Sequence, residues 1–386
     1  MRSHSWLRTA AVIIRDYDGT IPLAVWLKQY FKIHTKAGAT DRKHIAHLCY
    51  CFFRLGHAFI DAPMEERLLK ANFLCSTATN KVLEEIRPEW NQQVQCSLDE
   101  KLSLLSGRNE LKKIFPFASH LSNSIDEELF HRSFLVQPDL YLRIRPGKKA
   151  AVLSRLEGNG IEFTMKTEDC VALSNQTKTE ELFKIDEVVV VQDLNSQLVL
   201  EPLRQMLDAK RSFAAWDCCA ASGGKSILLH DRFPNARLTV SDVRPGILQN
   251  LQNRFKRAGI RNYGHFVSDI ASTGFQMDEK FDLVICDAPC SGSGTWSRTP
   301  EQLSVFREEK ISYYANLQKR IAANAAGQLK DKGIFVYITC SVFHEENEVV
   351  VTMLEDQLSL KPEAIQYLKG YDKKADTLFA AVFTRS

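Results

Sequence analysis

Beyond Asp186 the chain alternates short apolar stretches with longer segments of helical spacing, and this alternation leaves few folds open. Phe213–Trp216, Leu238–Val240, Phe281–Cys286 and Ile334–Ile338 are the predicted central strands. Strands and helices in this order build a parallel sheet wrapped by helices, an α/β fold. Ligands of such sheets bind beyond the carboxyl ends of the strands, so the residues just past each predicted strand are the candidates for chemistry.

The chain of 386 residues is too long for one ordinary domain. Residues 1–128 read as helical, best seen at Thr40–His57, where Thr40 and Asp41 are candidate caps and Ile45, Leu48, Phe52 and Leu55 form one stripe. Lys28, Lys32, Lys36, Arg42, Lys43 and Arg54 make this part locally basic, which suits either phosphate contacts or a solvated helix face. Residues 129–185 read as a small β-α-β unit, with strands at Leu140–Ile144 and Ile161–Met165 and a helix after Pro146 and Gly147. Arg143, Arg145, Lys148, Lys149 and Arg155 cluster there and make it the stronger candidate for guiding a nucleic acid, although its strands carry no aromatic pair for base stacking. Residues 186–386 hold the alternating α/β pattern.

Composition excludes several classes. No apolar run approaches the roughly 18 residues a membrane span needs. The acid-poor opening, with Arg2, Arg8 and Arg15, reads as an amphipathic first helix or as an organellar targeting segment, and the first reading sets the expectation of a cytoplasmic protein. The 10 cysteines are scattered, without a disulfide framework or paired CxxC spacing, so free thiols and no metal are expected. A net charge of +3 does not by itself argue for nucleic acid, and nothing in the sequence sets the oligomeric state.

The first predicted strand runs into Asp217-Cys218-Cys219-Ala220-Ala221-Ser222-Gly223-Gly224-Lys225, followed by a predicted helix over Ser226–Phe233. Small residues and two glycines let a ligand approach the backbone at a helix N-terminus. A phosphate-binding P-loop needs glycine where this chain has Cys219, and the dinucleotide pattern GxGxxG is absent. Asp242, after the second strand, is placed either to accept the ribose hydroxyls of a nucleoside ligand or to cap a helix. Asp269, after the strand-like stretch Gly264–Ser268, is a candidate for an adenine amino group.

Asp287-Ala288-Pro289-Cys290-Ser291-Gly292-Ser293-Gly294 follows the fourth strand, and Thr339-Cys340-Ser341 closes the next, ahead of Glu345-Glu346-Asn347-Glu348. A buried cysteine is usually core filling, and Cys218 and Cys286 are read that way. Cys290 and Cys340 differ, because both fall at strand ends on the rim that carries the Asp217–Lys225 loop. A nearby cation favours a thiolate, and Lys225 is the best placed in sequence.

These three segments resemble motifs I, IV and VI of the RsmB/Nop/Sun family of RNA cytosine methyltransferases, over a span from about Phe134 onward. Gln192-Asp193 with Ser196-Gln197, and Asp242 with Arg244-Pro245, add to the match, and Gly38 to Leu55 resembles the family's NusB-like helical region. Ser222 stands where the family has proline and Ser293 where it has threonine, and the usual Gly-Phe-Phe is represented by Thr377-Leu378-Phe379. The resemblance implies a Rossmann-like class I methyltransferase sheet, preceded by a small β-α-β (RRM-like) RNA-binding unit and a NusB-like region. It implies S-adenosylmethionine as cofactor, held by Cys219, Ala220, Ala221, Ser222, Gly223, Gly224, Lys225, Asp242, Asp269 and Asp287. It further implies ribosomal or transfer RNA as substrate, Cys340 as nucleophile and Cys290 as the residue promoting release.

The chemistry suits these residue types. Carbon 5 of cytosine becomes nucleophilic only after a thiolate adds at carbon 6, and a carboxylic residue such as Asp287 is suited to hold the base at N3 and its amino group. A DNA cytosine methyltransferase would use Cys290 as nucleophile and leave Cys340 idle. A non-catalytic RNA-binding assembly factor would not need Lys225, Asp287 and both cysteines intact.

Overall fold

The computed structural model describes residues 2–385, which pack as two compact units. One comprises Met1–Ser119, Asp126–Gln137 and Thr295–Glu308; the other comprises His120–Ile125, Pro138–Gly294 and Glu309–Ser386. No helix among the described residues is long and apolar enough to cross a membrane.

The first unit is helical. Helix Arg2–Asp16 buries Trp6, Leu7, Ala10, Ile13 and Ile14 along one stripe, and helices Leu23–Ile33, Ala39–Arg54 and Met64–Cys75 follow. The stripe expected in the third of these is buried, from Ile45 through Leu48 and Phe52 to Leu55. Asp41 acts as a cap there, accepting from the Gly38 N–H at 3.2 Å. Arg54 is not a surface cation: its guanidinium is buried and donates to the carbonyls of Phe134 and Val136. Thr295–Glu308 joins this unit from far along the chain. Trp296 packs among Phe115, Phe117 and Phe306, and the Glu301 carboxylate accepts from the Leu23 N–H at 3.1 Å.

The second unit contains two sheets. Strands β1 (Leu140–Ile144), β2 (Phe163–Thr167), β3 (Cys170–Leu173) and β4 (Val189–Val191) form an antiparallel sheet in the order β2-β3-β1-β4. Helix Lys149–Gly158 lays Val152 and Leu156 against Leu142, Ile144, Val171 and Leu173. The larger sheet has seven strands: β5 (Ala214–Asp217), β6 (Arg237–Asp242), β7 (Tyr263–Val267), β8 (Phe281–Asp287), β9 (Leu329–Thr339), β10 (Leu360–Leu368) and β11 (Leu378–Arg385). Their order is β10-β11-β9-β8-β5-β6-β7, with β5 through β9 parallel and β11 antiparallel between β9 and β10.

Alternation along the strands feeds two cores. Leu283 and Ile285 of β8 and Ile334, Val336 and Ile338 of β9 meet helices Gly224–Arg232 and Pro245–Ala258 on one face. Val284, Cys286, Phe335 and Tyr337 meet helices Glu309–Ala326 and Glu348–Leu358 on the other. The strand order reverses beside β5, where the chain runs outward through β6 and β7 and then returns to lay β8 on the opposite side. That switch opens the crevice at the carboxyl ends of β5 and β8.

Candidate active site

The loop leaving β5 is built for close approach. Ala221 and Gly223 have positive φ angles of 46° and 83°, which fold the loop tightly ahead of helix Gly224–Arg232. A side chain at Gly223 would lie 2.9 Å from both Leu251 Cγ and Phe255 Cε1, so glycine is needed for packing as well as for backbone angle. The loop is pinned to β6: the Ala220 N–H donates to Ser241 O at 2.9 Å, and the Ala221 N–H donates to Asp242 Oδ2 at 3.1 Å. Asp242 also accepts from the Arg244 backbone and guanidinium. Burial pushes the Asp242 carboxyl up, but these donors outweigh it and hold it below its ordinary value. Asp269 is exposed past β7 and accepts from the Ala271 N–H at 3.0 Å.

Asp217, the last residue of β5, was not singled out by the sequence reading. Its side chain is enclosed, one oxygen accepts from Ser226 Oγ at 2.5 Å, and the other has no protein partner. Burial, reinforced by the charge of Asp287, pushes this carboxyl up to about 7. Only the spacing of Asp217 and Ser226, one at a strand end and one in the following helix, could have signalled the pair. Cys218 and Cys286 are fully buried, as expected for core residues, with Cys218 one residue beyond β5 rather than inside it.

The structure brings the four residues assigned to chemistry onto one rim. Lys225 Nζ donates to Asp287 Oδ2 at 2.6 Å. Burial pulls the Lys225 ammonium down, yet the Asp287 charge and hydrogen bond outweigh it and hold the group above its ordinary value, with Cys340 adding in the same direction. Cys290 Sγ and Cys340 Sγ are 3.2 Å apart, both as free thiols. The Cys340 contact and burial raise the Cys290 thiol well above its ordinary value, so it is retained in its protonated form.

The two thiol-bearing loops are bonded to each other. The Gly294 N–H donates to Cys340 O and the Thr377 N–H donates to Gly294 O, both at 2.9 Å. Ser293 Oγ accepts from the Val342 N–H and lies 3.2 Å from Ser341 Oγ.

The basic residues expected to guide a nucleic acid separate into two groups. Arg143 and Arg145 both bind Asp231 at 2.5 Å, and their side chains are 2% and 11% exposed. They tie the four-stranded sheet to helix Gly224–Arg232 and are spent on that tie. Lys148, Lys149 and Arg155 are exposed, as are Lys28, Lys32, Lys36, Arg42 and Lys43 in the helical unit.

Residues 204–377 match the family model for the 16S rRNA methyltransferase RsmB/F. Ribosomal RNA small subunit methyltransferase B of Xylella fastidiosa is 32% identical over 245 residues, covering 62% of this chain and 56% of the relative. The corresponding methyltransferase F of Psychromonas ingrahamii is 27% identical over 179 residues, 46% of this chain and 37% of the relative, so the chain spans about half the length of the curated relatives it matches. The crystal structure of PH0851 superposes with a TM-score of 0.69 at 20% identity, covering 98% of each chain. A methyltransferase homologue from Pyrococcus horikoshii gives 0.58 at 22%, over 74% of this chain and 98% of its own. At such identities the structures establish the Rossmann-like fold. Residues 204–377 are thus similar in sequence to the RsmB/F methyltransferases, and the chain shares the Rossmann-like fold of the superposed structures.

Proposed function

We propose that the chain transfers a methyl group from S-adenosylmethionine to carbon 5 of a cytosine in RNA, ribosomal RNA in the first instance, through a covalent Cys340 adduct. The observation that carries this reading is the pair of free thiols 3.2 Å apart at the ends of β8 and β9, beside the Lys225–Asp287 pair. One nucleophilic thiol suffices to form an adduct. A second, kept protonated in contact with the first, fits a reaction that must also release it.

The residues present fit the cofactor. Two positive-φ positions precede a helix N-terminus, and Asp242, anionic and anchored to that loop, stands at the end of β6. Cys219 through Lys225, Asp242, Asp269 and Asp287 would hold it. Bound there, it supplies an electrophilic methyl group. The Cys340 thiolate adds to carbon 6 of the cytosine, and Asp287 holds the N3 and amino edge. Carbon 5, now nucleophilic, takes the methyl group; solvent water then accepts the carbon 5 proton, and the carbon 6–sulfur bond breaks with its electron pair leaving on Cys340 as thiolate, restoring the aromatic ring. Cys290 assists that last step as a neutral thiol. Residues 1–128 and 129–185 serve as RNA-guiding regions through Lys28, Lys32, Lys36, Arg42, Lys43, Lys148, Lys149 and Arg155, in a cytoplasmic protein.

Labelled ribosomal RNA and two variants test the reading. Cys340→Ala abolishes methylation and adduct together, while Cys290→Ala accumulates a denaturation-resistant adduct. The reverse pattern would assign attack to Cys290 and sink the proposal.

A further inference from the structure

Glu346 lies six residues past Cys340 and is fully buried. Its Oε2 accepts from the Ser291 N–H at 2.9 Å and from Gln318 Nε2 at 2.8 Å; its Oε1 accepts from Ser341 Oγ at 2.9 Å. Ser291 follows Cys290, and Ser341 follows Cys340. One carboxylate therefore holds both thiol-bearing loops by the residue adjacent to each thiol. Gln318 extends the hold, since the same amide nitrogen donates to Pro289 O at 2.9 Å, on the residue preceding Cys290. Ser291 Oγ and Ser341 Oγ also lie 3.2 Å apart, closing the network.

A buried carboxylate with neutral partners is costly, because desolvation disfavours its charge; burial indeed holds the Glu346 carboxyl above the usual value. The neighbouring Glu345 meets His120 at 2.5 Å, and Glu348 bonds Ser122 and Tyr367. Core packing alone would be served better by an apolar residue.

We infer that Glu346 is a positioning residue that sets the approach of Cys290 to Cys340 by bonding Ser291 and Ser341 together. The inference rests on the proposed reaction for its purpose, but the spacing it controls is measurable without RNA or cofactor. Glutamine at this position keeps the network: its oxygen accepts from Ser291 and Gln318, and its NH2 donates to Ser341 Oγ, whose proton turns to Ser293 Oγ, 3.2 Å away. Alanine removes all three bonds.

A trivalent arsenical, phenylarsine oxide, bridges two thiols only when they are adjacent. We expect the folded full chain to be captured across Cys290 and Cys340, with Cys290→Ala as the blank and peptide mass mapping to locate the bridge. Glu346→Gln should be captured within about twofold of the native rate, and Glu346→Ala about tenfold more slowly, with kcat falling in parallel and KM for RNA unchanged. Ser341→Ala, which leaves Ser291 and Gln318 bonded to Glu346 but removes the Ser341 Oγ bonds to Glu346, Ser291, Ser293 and the Phe343 N–H, gives an intermediate loss and serves if Glu346→Ala does not fold. Native-rate capture in the alanine variants, or equal loss in Glu346→Gln and Glu346→Ala, overturns the inference. Neither outcome touches the assignment of Cys340 as nucleophile, which the adduct assay reads separately.

Discussion

Lys225 and Asp287 meet at 2.6 Å across the point where the strand order reverses, one from the helix after β5 and the other from the end of β8. The pair has two consequences. It fixes the ammonium near Cys340, and it ties down the Asp287 side chain, which is 29% exposed. Lys225→Met removes the cation and leaves a half-enclosed carboxylate. In a Cys290→Ala background, where the proposed reaction accumulates adduct, this change should slow adduct formation by about 100-fold or more, the range of a positioned charge or proton donor. Denaturing gel mobility of labelled RNA checks it; an unchanged adduct rate would show that the thiolate forms without Lys225.

Asp217 provides a pH signature. Burial raises its carboxyl from 3.8 to about 7 in the folded chain. A raised pKa means that the folded state binds the proton more tightly than the unfolded state. The contribution is therefore fully present below about pH 4 and is lost as pH rises through about 7. Asp217→Asn preserves the shape and the acceptor for Ser226 without an ionisable group. Relative to this variant, the native chain should lose stability between about pH 5 and about pH 8, on the order of 3 kcal/mol. Thermal unfolding of both proteins across that range is the measurement, and parallel curves would refute the assignment.

Asp242 holds the cofactor loop through Ala221 and is itself held by Arg244. Asp242→Ala should weaken S-adenosylmethionine binding at least about tenfold, because it removes a hydrogen-bond acceptor and frees the loop. Arg244→Ala leaves the Asp242–Ala221 bond in place and should change affinity less than about threefold. Calorimetry separates the two; equal losses would mean that Arg244 itself contacts the ligand.

The sheet was legible because its parallel strands are apolar runs that end in chemically distinctive residues. β5, β6 and β8 lie where Trp216, Val240 and Cys286 predicted them, and the rim cysteines follow directly. The antiparallel pair β10 and β11 was not legible. β10 carries Lys361, Pro362 and Glu363 on an exposed edge, a poor strand signal, although it pairs along its length with β11. β9 begins at Leu329, ahead of the expected Ile334, because a register shift opposite Phe281 and Leu283 lets Lys332 and Gly333 stay within the strand. The joining of Thr295–Glu308 to the helical unit depends on contacts with Phe115, Phe117 and Leu23, far away in sequence. At the site, Glu345-Glu346-Asn347-Glu348 gave no indication of which carboxylate turns inward. Arg143, in β1, and Arg145, just past it, read as surface cations because their shared partner Asp231 sits on helix Gly224–Arg232, far along the chain.

Gly294 offers the sharpest test of how the thiol loops are held. It lies between Cys340 and Thr377, donating to one carbonyl and accepting from the other N–H, both at 2.9 Å. A Cβ there would run into the Thr377 carbonyl oxygen and stand 3.1 Å from the Cys340 oxygen. The obstacle is backbone on both sides, so no side-chain rotation relieves it, and relief requires the Cys290 loop to withdraw from the end of β9. Gly294→Ala should therefore cost about 2–4 kcal/mol of stability, in the range of strained or overpacked core sites. It should also lower kcat more than it raises KM, since the thiols separate while the basic surface proposed to meet RNA is untouched. Denaturant unfolding gives the first quantity and steady-state methylation the second. A stable variant with native kcat would show that the β8 and β9 loops are held together without this contact.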